Sequence, residues 1–353
     1  MRWENLQVEA EQEAALPGFK EPAVVRTFDA PEALDTRFYE IRARSAINEV
    51  PKRSRMPFRY TINPYRGCSH ACVYCFARPS HTYLDFNARE DFEREIVVKV
   101  NVPELLRAEL ARASWKGDHV ALGTNTDPYQ WVEGRYRLMQ GIWEAMRDFA
   151  NPCSVLTKSP LLLRDIELMR QISERTDFTA NLSIPTLDER AWRETEPHTP
   201  HPRKRIEAVA ELKRAGIRTG VLIAPLIPGV NDSPEQVERL LEQVDEAGPD
   251  SIGGVALHLR GEVRDIWFDW LRDHRPDLIP RYEELYARGA YMRREEAERL
   301  SAMARRPGRD GPRRGIRRPQ RRHGEVEGKS KRSAEGEAEE ISPLPQPGQP
   351  SLF

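Results

Sequence analysis

The chain has 353 residues, 39% of them hydrophobic and 31% charged, with a formal net charge of −1. That length admits one large α/β domain plus appendages, and the charge-rich balance implies that part of the chain stays outside any core. There is no apolar signal region near the start, no run approaching the roughly 18 apolar residues of a spanning helix, and too few cysteines for a disulfide scaffold, so the expectation is a soluble cytoplasmic protein with no membrane partner.

Residues 1–57 are interrupted by prolines and show one short candidate element near Arg37–Ala46. They read as an N-terminal extension packed on a core or partly mobile. From Phe58 onward, short apolar runs alternate with amphipathic stretches. The runs Phe58–Asn63, His119–Gly123, Ser154–Thr157, Thr179–Ile184, Thr219–Ala224 and Ile252–Leu257 have the length of buried strands. Between most of them lie helical patterns: Pro103–Ala113, Arg137–Phe149, Pro160–Glu174, Pro202–Ala215 and Pro234–Ala247. Four of these patterns open on proline, which is best tolerated where the helix N–H groups have no partner. Glu95–Val100 is an extra strand candidate.

Strands alternating with helices predict parallel βα units. Six such units suit a partial (β/α)6 barrel over 58–260, with a doubly wound sheet as the alternative; either fold places ligands at the C-terminal ends of the strands. A helical segment is expected over 261–303. Beyond Met303, Arg305, Arg306, Arg309, Arg313, Arg314, Arg317, Arg318, Arg321 and Arg322 alternate with glycine and proline, Glu335–Glu340 is acidic, and the chain ends SPLPQPGQPSLF. Residues 304–353 therefore read as a disordered tail.

The chemistry concentrates in one loop, Cys68-Ser-His-Ala-Cys72-Val-Tyr-Cys75. Three thiolates this close can wrap one cuboidal iron–sulfur cluster. Such a cube usually takes four cysteines, so one iron would remain open to a ligand. A zinc site would need a fourth ligand from His70, His81 or the distant Cys153.

The stretch Asn63-Pro-Tyr-Arg-Gly-Cys68 through Cys75-Phe-Ala-Arg-Pro-Ser-His81, with aromatic Tyr74 just before the last cysteine, resembles the cluster loop of radical S-adenosylmethionine enzymes. Its flanks resemble the branch related to spore photoproduct lyase, the DNA repair photolyase-like proteins, over about Phe58–Leu259. The resemblance implies a partial (β/α)6 barrel, a [4Fe–4S] cluster on Cys68, Cys72 and Cys75, and S-adenosylmethionine chelating the open iron. It further implies reductive cleavage to a 5′-deoxyadenosyl radical, with an electron donor as partner, and hydrogen abstraction from a substrate, with damaged DNA the first expectation. Radical modification of RNA or a peptide is the alternative, as is a non-catalytic iron–sulfur protein docked on DNA or on the sliding clamp.

Under the same resemblance, Thr124 and Thr126 are candidates to bond the methionyl amino group, Asp127 to offset its charge, and Lys158 to pair with the carboxylate. Ser183 resembles the family's ribose- or carboxylate-contacting residue. Turn chemistry, a solvated lysine and a backbone-bonded serine are the respective structural alternatives. The branch uses a further cysteine as a hydrogen-atom relay. Here the remaining cysteine, Cys153, stands at a strand entrance and reads as structural, so the resemblance does not carry thymine-dimer repair with it.

Nine arginines within Arg305–Arg322 form a basic arm suited to phosphate backbones. The final Gln349-Pro-Ser-Leu-Phe353 resembles the peptide by which bacterial repair and replication proteins dock on the sliding clamp.

Overall fold

The computed structural model describes residues 8–28, 35–52, 54 and 56–306. The strands are β1 (Val8–Ala14), β2 (Ala23–Phe28), β3 (Arg37–Ile41), β4 (Ile47–Glu49), β5 (Tyr60–Ile62), β6 (Tyr65–Arg66), β7 (Glu95–Lys99), β8 (Val120–Leu122), β9 (Cys153–Thr157), β10 (Phe178–Ser183), β11 (Thr219–Leu226) and β12 (Ser251–Ala256). The helices are α1 (Glu90–Arg94), α2 (Val102–Leu110), α3 (Glu133–Tyr136), α4 (Leu138–Asp148), α5 (Ile166–Arg175), α6 (Glu189–Thr195), α7 (Pro202–Arg214), α8 (Pro234–Ala247), α9 (Val263–His274), α10 (Ile279–Leu285) and α11 (Arg294–Met303).

The main sheet has the order β12-β11-β10-β9-β8-β5-β4. Its six strands from β5 to β12 run parallel, and β4 lies antiparallel on the β5 edge. The six apolar runs expected from the sequence are these six strands. The chain order of strand, helix, strand gives the partial (β/α)6 architecture, with open edges at β4 and β12 among the described residues. Between sheet and helices lies one core built from Trp143, Met146, Met169, Leu212 and Leu240 against Val155, Leu182 and Val221. Each such side chain contributes on the order of 1.5–3 kcal/mol by leaving water. Helices α8 and α6 start where the sequence supplies acceptors: the Ser233 hydroxyl accepts from the Gln236 N–H at 3.2 Å, and the Asp188 carboxylate from the Ala191 N–H at 2.8 Å. α11 packs so close on β12 that a Cβ on Gly254 would lie 2.7 Å from that of Ala304.

The N-terminal extension holds more regular structure than its prolines suggest. β1, β2 and β3 form an antiparallel meander, and β3 pairs parallel with β7, which pairs antiparallel with β6. The pairing is non-local, so local patterning does not reveal it. Arg37 and Glu95 stand opposite in the β3–β7 register, and the guanidinium Nε donates to the carboxylate at 2.9 Å. One face of this second sheet buries Phe28, Phe38, Tyr65, Ile96 and Val98; the other buries Val25, Tyr39, Ile41, Val97 and Leu84. The Glu109 carboxylate of α2 accepts the N–H groups of Ala46 and Ile47, fastening the extension to the barrel.

No helix among the described residues is long and apolar enough to cross a membrane. Of the basic arm, Arg305 and Arg306 are described, and Arg306 pairs with Glu238 at 2.6 Å and Asp245 at 3.0 Å on α8. The rest of the arm, the acidic stretch and the terminal Gln349–Phe353 lie outside the described residues.

Candidate active site

The cysteine loop leaves the top of β5 by way of β6. Gly67 makes the turn at φ +83°, and a Cβ there would lie 2.9 Å from both Ile96 Cδ1 and the Phe92 carbonyl, so no larger residue fits. All three cysteines are free; Cys68 and Cys72 are buried and Cys75 is partly exposed. Burial disfavours the Cys68 and Cys75 thiolates, while the neighbouring His70 N–H at Cys68 and the Ala77 and Arg78 N–H groups at Cys75 act in the opposite sense.

Burial pushes all three thiols above the usual cysteine range, with the Asp127 charge adding to the shift at Cys68 and the Glu196 charge at Cys72. Ionising them requires a cationic centre, which iron supplies. Among the described residues, no three His, Cys, Asp or Glu side chains converge as around a single ion. A cube sends each thiolate to a different iron and needs no such convergence. Three free, largely buried thiols on one loop, with no fourth cysteine near them, fit a cluster that leaves one iron open.

Arg78 and Gln130, which sequence reasoning passed over, hold the loop together with His70. The Arg78 guanidinium donates to the carbonyls of Cys72, Ala71, Ala88 and Arg89 at 2.8–3.1 Å and to Glu93 at 3.1 Å. Gln130, fully buried, accepts the Ser69 N–H at 2.9 Å and donates to Thr126 Oγ1 at 3.2 Å. His70 Nδ1 stands 3.3 Å from Asp127 Oδ2. A lone Arg or Gln in a loop gives no sequence signal of such a role, because its acceptors are backbone carbonyls brought in by folding.

The candidate cofactor residues all stand at the C-terminal ends of the parallel strands. After β8, Gly123 at φ +81° passes so close to β9 that a Cβ would overlap the Leu156 carbonyl at 1.9 Å. Thr126 donates to the Gly67 carbonyl at 2.6 Å, and Thr124 lies 3.4 Å from the Asn63 side-chain oxygen. Asp127 accepts from the Thr157 hydroxyl at 2.6 Å and from the N–H groups of Lys158 and Tyr129 at 2.8 and 2.9 Å. Burial opposes its ionisation, but His70, Thr157 and Lys158 outweigh that and hold its pKa at about 2. These three residues thus knit the β8 and β9 loops to the cysteine loop.

Lys158 and Ser183 meet across β9 and β10. The ammonium donates to Ser183 Oγ at 2.6 Å and pairs with Glu196 Oε1 at 3.1 Å; Ser183 donates to the Ala224 carbonyl at 3.1 Å. Glu196 is fully buried, takes the Tyr74 hydroxyl, and pairs with Arg205 at 2.6 Å. Burial would raise its pKa, yet the Arg205 and Lys158 charges and the Tyr74 bond hold it at about 2. Lys158 also lies 5.8 Å over the Tyr74 ring, beside the cysteines. Glu196 and Arg205 carried no signal in the sequence, since they reach the site only through the packing of α6 and α7. Cys153 lies at the opposite end of β9, where it pairs in register with Val120 and Phe178 inside the core.

A three-cysteine loop above six parallel strands, with a half-buried lysine facing it from the strand ends, defines an iron–sulfur enzyme on a partial α/β barrel. The family model of the radical SAM superfamily matches residues 62–247, more than half of the chain. The chain belongs to that superfamily, and its cofactors are a [4Fe–4S] cluster and S-adenosylmethionine. An uncharacterized protein of Mycobacterium tuberculosis (strain H37Rv) is 44% identical over 296 residues, 83% of this chain and 87% of that one. An uncharacterized protein of Methanocaldococcus jannaschii is 29% identical over 55% of this chain and 69% of its own length. Among solved structures, spore photoproduct lyase complexed with dinucleoside spore photoproduct superposes with a TM-score of 0.56 at 17% identity, covering 77% of this chain and 80% of that one. That fold likeness is to the branch the cysteine-loop flanks resemble.

Proposed function

We propose that the chain is a radical enzyme acting on a nucleic acid, with damaged DNA the first substrate to test. The supporting observation is the placement of Cys68, Cys72 and Cys75 beside the Lys158–Ser183–Glu196 group at the C-terminal ends of the strands. When bound, the cluster and S-adenosylmethionine supply a 5′-deoxyadenosyl radical that takes a hydrogen atom from the substrate.

The protein's own part is positional. Arg78, Gln130 and Gly67 fix the loop so that the three thiolates hold three irons. Lys158 offers its ammonium to the methionyl carboxylate, with Ser183 beside it as a neutral partner and Glu196 fixing its reach. Thr124, Thr126 and Asp127 would take the methionyl amino group, from positions fixed by their bonds to Asn63, Gly67 and Thr157. The buried surroundings exclude water from the reacting atoms. The basic arm beyond Arg306 supplies a sequence-independent hold on DNA, and Gln349–Phe353 docks on the sliding clamp; an electron donor completes the set of partners.

Anaerobic reconstitution followed by dithionite and S-adenosylmethionine should yield 5′-deoxyadenosine, with none from the Cys72→Ala variant. An intact cluster that yields no product would remove the enzymatic reading. Salt-dependent DNA binding should fall when 307–322 are deleted, and a chain ending at Gly348 should no longer retain the clamp in a pull-down.

A further inference from the structure

On the β5–β8 side of the mouth, two cations share one face of a β-ladder. Arg66 stands opposite Val97 in the β6–β7 register, and Lys99 follows two residues along β7. Side chains alternate along a strand, so Arg66, Val97 and Lys99 point the same way, while Tyr65, Ile96 and Val98 bury on the other face. Both cations are half-buried. Lys99 Nζ donates to the Asn63 carbonyl at 3.0 Å, and Arg66 has no hydrogen-bond or ion-pair partner among the described residues.

Neither cation is compensated. The charge acting on Lys99 is that of Arg66, and the group acting on Arg66 is the Tyr83 phenol; no carboxylate of the described residues reaches either. Burial and mutual repulsion both penalise such a pair, and half-buried charge is ordinarily paired. The neighbourhood is otherwise polar. The Asn63 side-chain oxygen accepts the Asn125 N–H at 3.0 Å, and its NH2 group has no hydrogen-bond partner among the described residues. Asn125 reaches Ser80 Oγ at 3.3 Å. Two exposed rings, Tyr83 and Phe76, stand on the segment that follows the last cysteine.

We propose that Arg66, Lys99 and the Asn63 amide form a subsite for a phosphodiester anion of the substrate. Resting on the nucleic-acid reading above, this subsite names which part of the substrate the chain grips. Arg66 lies two residues before Cys68. Asn63 follows β5 and Asn125 follows β8, whereas Lys158 and Ser183 belong to β9 and β10. The subsite is therefore distinct from Lys158 and Ser183, meets the Thr124 edge of the methionyl site through Asn63, and adjoins the cysteine loop in the chain. A fork of guanidinium donors plus an ammonium suits a phosphate, and the exposed Tyr83 ring near Arg66 suits an unstacked base; that ring favours a nucleic acid over a phosphopeptide.

The test uses the full chain with its cluster reconstituted and bound S-adenosylmethionine, and reads binding by calorimetry. The probes are thymidylyl-thymidine and its uncharged methylphosphonate analogue. The natural linkage should bind about tenfold tighter than the neutral one, in line with a charge-assisted contact. Arg66→Gln and Lys99→Met should each remove most of that ratio while leaving S-adenosylmethionine affinity unchanged. Because the cations repel, Lys99→Met should melt no lower than the parent chain, which a purely structural lysine would not allow. An unchanged ratio in both folded variants overturns the subsite. A phosphoserine peptide that binds through Arg66 and Lys99 when the dinucleotide does not would overturn the nucleic-acid assignment. Absence of 5′-deoxyadenosine from the parent chain would sink the enzymatic reading instead, and this binding measurement is independent of it.

Discussion

The Lys158 ammonium lies 3.1 Å from Glu196, a carboxylate with no exposure to solvent that Arg205 and Tyr74 also hold. The lysine is thus aimed from behind. Replacing Lys158 by Met should weaken S-adenosylmethionine binding by about tenfold or more, the cost of one charged hydrogen bond, measured by equilibrium dialysis on the reconstituted protein. Near-normal affinity would take Lys158 out of the cofactor site.

Glu196→Gln should act differently. It leaves the buried Arg205 guanidinium without its counter-charge and costs about 3–5 kcal/mol in urea unfolding. The loss should exceed that of Lys158→Met, because Lys158 is partly exposed and Arg205 is not.

The Gly67→Ala chain should fold but bind iron poorly. The added Cβ presses on the Phe92 carbonyl and Ile96, and the left-handed φ penalises any side chain, together on the order of 1–3 kcal/mol. The displaced loop should lower iron content per chain after reconstitution; full occupancy would mean that the loop tolerates the shift.

Cys153→Ala should leave 5′-deoxyadenosine formation intact. The side chain is buried in the core at the far end of β9 from the mouth, so the expected effect is a stability loss of about 1 kcal/mol, as for an ordinary core truncation. Loss of radical chemistry with an unchanged melting temperature would show that the thiol does reach the reaction.

Lys99 gives a pH signature. Burial and the Arg66 charge lower its pKa from 10.5 to about 7 in the folded chain. The unfolded chain then binds more protons than the native one between those values, so this lysine's penalty is full below about pH 7 and is relieved as pH rises toward 10.5. The melting-temperature advantage of Lys99→Met should be greatest near pH 6 and fade by about pH 10. An advantage independent of pH would mean that the ammonium is not desolvated.

The barrel was legible because its strands are short apolar runs and four of the five helical patterns between them open on proline, both of them local signals. Cys68, Cys72 and Cys75 were legible for the same reason, their spacing being contained in one loop. The β1–β3 meander was not, because β3 finds its partner in β7 on the far side of the cysteines. Lys158 and Ser183 were placed from their positions at strand ends together with the family resemblance. Glu196, Arg205, Arg78 and Gln130 went unread because their partners are carbonyls and charges assembled from distant segments.

The ladder that joins β3 to β7 and β7 to β6 draws on chain both before and after the cysteines. The turn at Gly67 therefore takes its shape only once residues as far along as Lys99 have been made and paired. The walls of the cradle are thus strand pairings made without any of the three thiols. A chain severed between β3 and the cysteine loop would keep all three thiols and lose the order in which they are presented.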